Sequence, residues 1–125
     1  SCKAGSIACT WRRGVDIYED AFFKDDKEST RIWGIQTITH ELAHVIDYAS
    51  VAWRPYYRNV SWVYSEVTPG RVHSEHGANN ILENWAESFT LWVYNNHTTP
   101  YFYNPKDRLG LTIDQRIFMV SYFYP

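Results

Sequence analysis

His40-Glu41-Leu42-Ala43-His44 reads H-E-x-x-H inside an amphipathic helical pattern. Residues four apart on a helix stand one turn above each other on one face, so His40 and His44 offer two imidazoles to a single metal ion. Zinc is the usual occupant of such a pair, with one ion per chain. Glu41, beside that pair, has the chemistry of a general base. It takes a proton from a water on the metal as the water attacks, and hands it to a leaving amine. The plain alternative is two histidines on a solvated face, because the motif also arises by chance.

The elements that must hold these groups follow from periodicity. Ile35, Ile38, Leu42, Val45, Ile46 and Ala49 share one face at helical spacing, and His40, His44 and Asp47 fall on the opposite one. The pattern predicts a helix from residue 30 or 31 to 49, weakened in its first turn by Gly34, with its apolar side in a core and its ligand side on a cleft. A second helix is predicted over residues 80–94. Ile81, Leu82, Trp85, Phe89, Trp92 and Val93 form its apolar stripe, Glu83 and Glu87 lie together on another face, and Asn95-Asn96 ends it. Thr112 followed by Gln115 is a capping box, which starts a third helix over residues 113–123. Residues 1–14 read as irregular. Residues 15–18 alternate as a strand, which residues 21–23 continue or turn away from. Residues 24–29 form a charged, solvated loop, and residues 50–80 are the least regular part. Within them, residues 60–64 fit a short strand or a helix fragment, Pro69-Gly70 marks a turn, and His73 and His76 follow in a polar loop.

The chain of 125 residues fits one domain, residues 1–125, long enough to bury a core. Its formal net charge of -2 gives no electrostatic case for nucleic acid or an anionic membrane surface. No apolar run approaches the roughly 20 residues of a membrane span. Aromatic residues are dense (6 Trp, 10 Tyr, 6 Phe), enough for a core and for exposed loops such as Trp53-Arg54-Pro55-Tyr56-Tyr57 and Tyr101-Phe102-Tyr103. Cys2 and Cys9 are spaced for a small disulfide loop and not for a metal site. Asn59 and Asn96 each open an N-glycosylation sequon. Together these features predict a secreted protein. The start at Ser1, without Met, fits a mature or trimmed form.

A zinc site on an H-E-x-x-H helix needs a third protein ligand and an open position. Asp47, His73, His76, Glu83 and Glu87 are the candidates. Asp47 is placed better to accept a hydrogen bond from a ligand histidine than to bind metal. Glu83 and Glu87, four apart, allow one carboxylate to bind while the other orients a ligand, and equally fit an exposed acidic face.

The run from His40 to Ala49, HELAHVIDYA, resembles the H-E-[FY]-G-H-A-V-D segment of the anthrax-lethal-factor and Pro-Pro-endopeptidase group of gluzincin metalloproteases. The run from His76 to Glu87, HGANNILENWAE, resembles that group's second block, Y-G-x-x-N-x-x-E-x-F-A-E. The resemblance spans roughly residues 35–94 and implies a zincin-like α+β fold and zinc-dependent endopeptidase chemistry. It implies Glu83 as the third zinc ligand and Glu87 as a residue that orients the ligands. In the family, a strand near the active-site helix holds the substrate extended, a role it transfers here to residues 15–23. Three departures stand out. His76 occupies the position of the family's oxyanion-stabilising Tyr; an imidazole can donate the same bond, and Tyr64 is a candidate substitute. Ala43 replaces a Gly. About 39 residues precede the motif, fewer than the family carries, so the sheet is minimal or an N-terminal part has been removed.

The expected substrate is a protein or peptide, extracellular and Pro-rich or glycosylated. Two other readings compete: a catalytically degenerate zincin-like protein that binds a protein or glycan, and a metal-free carbohydrate-binding module suggested by the aromatic density.

Overall fold

The computed structural model describes residues 8–11, 14–18, 28–53, 58–68, 72, 75–78, 80–94 and 111–125, with the side chains at 11, 28–33, 51–53, 75 and 76 left out. Two short strands, β1 (Ala8–Trp11) and β2 (Gly14–Ile17), pair antiparallel with Thr10 opposite Val15. Among the described residues five helices follow: α1 (Glu28–Trp53), α2 (Val60–Val67), α3 (Glu75–Ala78), α4 (Ile81–Val93) and α5 (Ile113–Phe123). The class is α+β, as expected. Residues 8–11, expected to be irregular, form the first strand of the hairpin, and residues 60–67 are helical. Residues 21–23 lie outside the described residues.

Helix α4 is the centre of the molecule. Every residue from Asn84 to Leu91 is buried, because α1, α2, α3 and α5 all pack on it. Trp85 is the hub. Its ring meets Tyr64 at 5.6 Å, Phe118 at 6.4 Å and Phe123 at 6.4 Å, and its indole N–H donates to the Ala43 carbonyl at 2.9 Å. That bond fixes α4 against the middle of the motif helix. Ala43 is fully buried at this contact, so a small side chain there is a packing requirement. Among the described residues, Tyr64, Trp85, Phe89, Trp92, Phe118, Tyr122 and Phe123 pack in or against this core, whereas Tyr18, Tyr48, Trp62 and Tyr124 are exposed.

The caps locate the helix ends. The Asn80 side chain accepts from the Leu82 N–H at 2.9 Å and starts α4. Thr112 and Gln115 make both bonds of the predicted capping box, at 3.2 and 3.0 Å. Helix α2 is capped by other means. Its N-cap residue Asn59 makes no side-chain cap bond, and α1 supplies the acceptors instead. Asp47 Oδ1 accepts from the Ser61 N–H at 2.7 Å, and Ser50 Oγ accepts from the Val60 N–H at 2.9 Å. A carboxylate at a helix N-terminus answers both the free N–H groups and the helix dipole.

Helix α1 is turned opposite to the orientation its apolar stripe predicts. Ile35 is 49 % exposed and Leu42 47 %, with Ile38 and Ala49 also exposed, whereas Gln36, Thr37, His40, Ala43, His44, Asp47 and Ser50 are buried. The reason lies in the partners. The ligand-bearing face meets α4 and α2, which carry the carboxylate, indole and N–H groups that match it. Burying polar groups is tolerable where they find partners, as His40, His44, Asp47 and Ser50 do on this face.

Candidate metal centre

One turn of α1 places His40 and His44 one above the other, and the first turn of α4 brings Glu83 to them. His40 Nε2 stands 2.9 Å from Glu83 Oε2, His44 Nε2 stands 3.3 Å from Glu83 Oε1, and the two Nε2 atoms are 3.2 Å apart. Donor atoms bound to one tetrahedral zinc at about 2.0–2.1 Å stand roughly 3.3–3.4 Å from each other. The three edges therefore fit a single small cation. The three residues form a group able to hold a metal ion. Glu83, reached in the sequence through the family pattern, meets the two histidines in space.

Electrostatics says the same. Burial alone would depress both imidazoles. At His40 it prevails and the pKa is lowered; at His44 the hydrogen bond and charge of Glu83 outweigh it and the pKa is raised. Burial would raise the Glu83 carboxyl, but the two imidazoles hold it well below the usual carboxylate range. Polar atoms this close need a hydrogen or a cation between them, supplied by a proton on an imidazole nitrogen or by a metal ion. This competition has a sign. Below the raised pKa of His44 the metal must displace a proton, so affinity is highest above it and falls about tenfold per pH unit below it. Calorimetry in buffers of different ionisation enthalpy should report one proton released per zinc just below that pKa; zinc binding with no proton release would contradict the arrangement.

His44 and Glu83 of the triad open onto a cleft of about 210 Å³. Glu41, His44 and Tyr48 line it from α1, Leu82 and Glu83 from α4, and Cys9 and Thr10 from β1. The Thr10 hydroxyl donates to Glu41 Oε2 and lies 3.3 Å from the Glu41 carbonyl. Thr10, Tyr48 and Leu82 are cleft residues that the motif does not include. Tyr48 was within reach of the sequence, since it follows Glu41 and His44 at i+7 and i+4 on one stripe. Thr10 was not, since nothing local links it to Glu41.

The remaining predicted residues separate. Asp47, 1 % exposed, gives Oδ1 to the Ser61 N–H and Oδ2 to the Asn59 side-chain N–H at 3.2 Å, so its hydrogen bonds cap α2 and not a ligand imidazole. Its charge still helps raise the His44 pKa. The same contacts occupy the first sequon: the Asn59 amide is engaged and Ser61 is fully buried. Glu87 is fully buried beneath α3, and a Cβ on Gly77 would stand 2.7 Å from its Oε2, so a larger residue there would have to displace the buried carboxylate. The H-G pair ahead of the acidic block is thereby explained at its second residue. His76 lies in α3, in a short helix and not a loop; its side chain, His73, Cys2 and Asn96 lie outside the described residues. Tyr64 is fully buried among Trp85 and Phe118 in the core and does not line the cleft, so its hydroxyl is not placed to donate there. Among the described residues no helix is long and apolar enough to cross a membrane.

Comparisons with protein-family models, with curated proteins and with solved structures find no match to this chain.

Proposed function

We propose that this chain is a secreted zinc endopeptidase of the gluzincin type on a zincin-like scaffold. The observation that carries the proposal is the His40–His44–Glu83 triangle with Glu41 beside it on an open cleft. His40, His44 and Glu83 hold the zinc, which when bound supplies Lewis acidity toward a peptide carbonyl and a water molecule. Glu41 takes the proton of that water and passes it to the leaving nitrogen. His76 donates a hydrogen bond to the carbonyl oxygen as charge develops on it. Glu87 steadies the ligand helix from behind. Cys9 and Thr10 of β1 form one wall of the cleft. The resemblance of both helical blocks to the lethal-factor and Pro-Pro-endopeptidase group supports a protein or peptide substrate, with a Pro-rich or glycosylated extracellular target as its extension. A Cys2–Cys9 bridge fits secretion, and the absence of a free thiol at Cys9 supports it.

The test is cleavage of a mixed quenched-fluorescence peptide library. Cleavage should cease on addition of a zinc chelator and return with added zinc. Binding of peptides without cleavage, at full zinc occupancy, would replace the peptidase with a degenerate zincin that serves as a binding protein.

A further inference from the structure

Among the described residues, the Thr10–Glu41 contact is an interaction in the cleft that the peptidase chemistry does not call for. It joins residues 31 positions apart and belongs to the hairpin, an element outside both helical blocks. We infer that Thr10 is a positioning residue for the catalytic glutamate, and that β1 is in this way a working part of the active centre; the inference rests on the peptidase reading above.

The argument is geometric. A glutamate has three side-chain torsions, and a general base must present one lone pair at a fixed place. On α1, Glu41 is one residue from a metal ligand and partly exposed, so helix packing alone leaves its carboxylate free to swing. Thr10 removes that freedom. It is β-branched, hence stiff about χ1, and it sits on a strand paired opposite Val15. Its hydroxyl reaches two acceptors of the same residue, the carboxylate Oε2 and the main-chain carbonyl. Such a donor fixes the carboxylate relative to its own backbone. With Oε2 engaged by Thr10, Oε1 is the oxygen assigned here to take the proton of the water. Valine has the shape of threonine without the hydroxyl, and serine has the hydroxyl without the methyl. The pair separates a hydrogen-bonding role from a packing role.

The experiment uses the whole chain loaded with Co²⁺, and acetohydroxamate as the probe, its binding followed by the visible absorption of the metal. A hydroxamate chelates the metal and sets a proton against the neighbouring base, so its affinity reports where Glu41 is held without any turnover. Thr10→Val should weaken acetohydroxamate about tenfold, Thr10→Ser should restore it, and Thr10→Val should add nothing once Glu41→Ala is present. In the zinc form, Thr10→Val should lower kcat about tenfold at unchanged KM and unchanged metal content, with Thr10→Ser again restoring it. Wild-type affinity and kcat in Thr10→Val would overturn the inference and leave the peptidase reading intact. Equal losses in Thr10→Val and Thr10→Ser would overturn it in favour of simple packing. A wild-type protein that takes up neither Co²⁺ nor the probe would overturn both.

Discussion

Glu83→Ala is expected to yield a folded protein that no longer retains zinc through dialysis. Glu83 supplies the only carboxylate of the triangle, and its oxygens stand 2.9 and 3.3 Å from the two imidazoles. Removing it leaves two imidazoles, without an anion, to hold a divalent ion. Loss of a partner that merely supports a ligand costs about 10–100-fold in affinity, so loss of the ligand itself should exceed about 100-fold. The fold should survive, because the half-buried Glu83 side chain contributes little to a core centred on Trp85, Tyr64 and Phe89. Elemental analysis of dialysed protein, with circular dichroism as the folding control, decides the matter. Zinc held as tightly as in the wild type would remove Glu83 from the ligand set and send the search to Glu87, His73 or His76.

What could be read from the sequence was local. The capping box at Thr112 and Gln115 forms with both its bonds because its partners are three residues apart and no tertiary context is needed. The His40–His44 pair follows from helical periodicity alone. Glu83 was reached through the pattern of a second block, and space brings it to the pair. What could not be read was orientation. A hydrophobic stripe states which face of a helix prefers burial, yet the energy of α1 is decided by what α4 and α2 offer to its other face. The Trp85–Ala43 bond, the Asp47 cap of α2 and the Glu83 contacts all lie on the polar side, and together they draw it inward. Asp47 shows the limit most clearly. Three residues beyond a ligand histidine it resembles that histidine's partner, but a nearby helix with unsatisfied N–H groups competes for its carboxylate and wins. Thr10 lay beyond reach because a contact across 31 residues leaves no trace in spacing.

Glu41→Gln should keep zinc, keep the fold and lose turnover by about 10²–10⁴-fold. The substitution replaces one oxygen of Glu41 by an NH2 group of almost equal size. The Thr10 hydroxyl can still donate to the remaining amide oxygen, which orients the side chain as before. That orientation puts the NH2 group at the Oε1 position, where an acceptor is required. An amide nitrogen has no lone pair available for a proton, so the water stays neutral and the leaving nitrogen is not protonated. The metal triangle does not include Glu41, and the zinc-to-protein ratio should be unchanged. Peptide binding should likewise persist, which makes this variant the means of capturing substrates from an extracellular mixture. The measurement is the rate on whichever library peptide the wild type cuts, alongside the metal content of the same preparation. A Glu41→Gln protein that cleaves at the wild-type rate would show that the proton is taken elsewhere, and the roles of Glu41 and Thr10 would fall together.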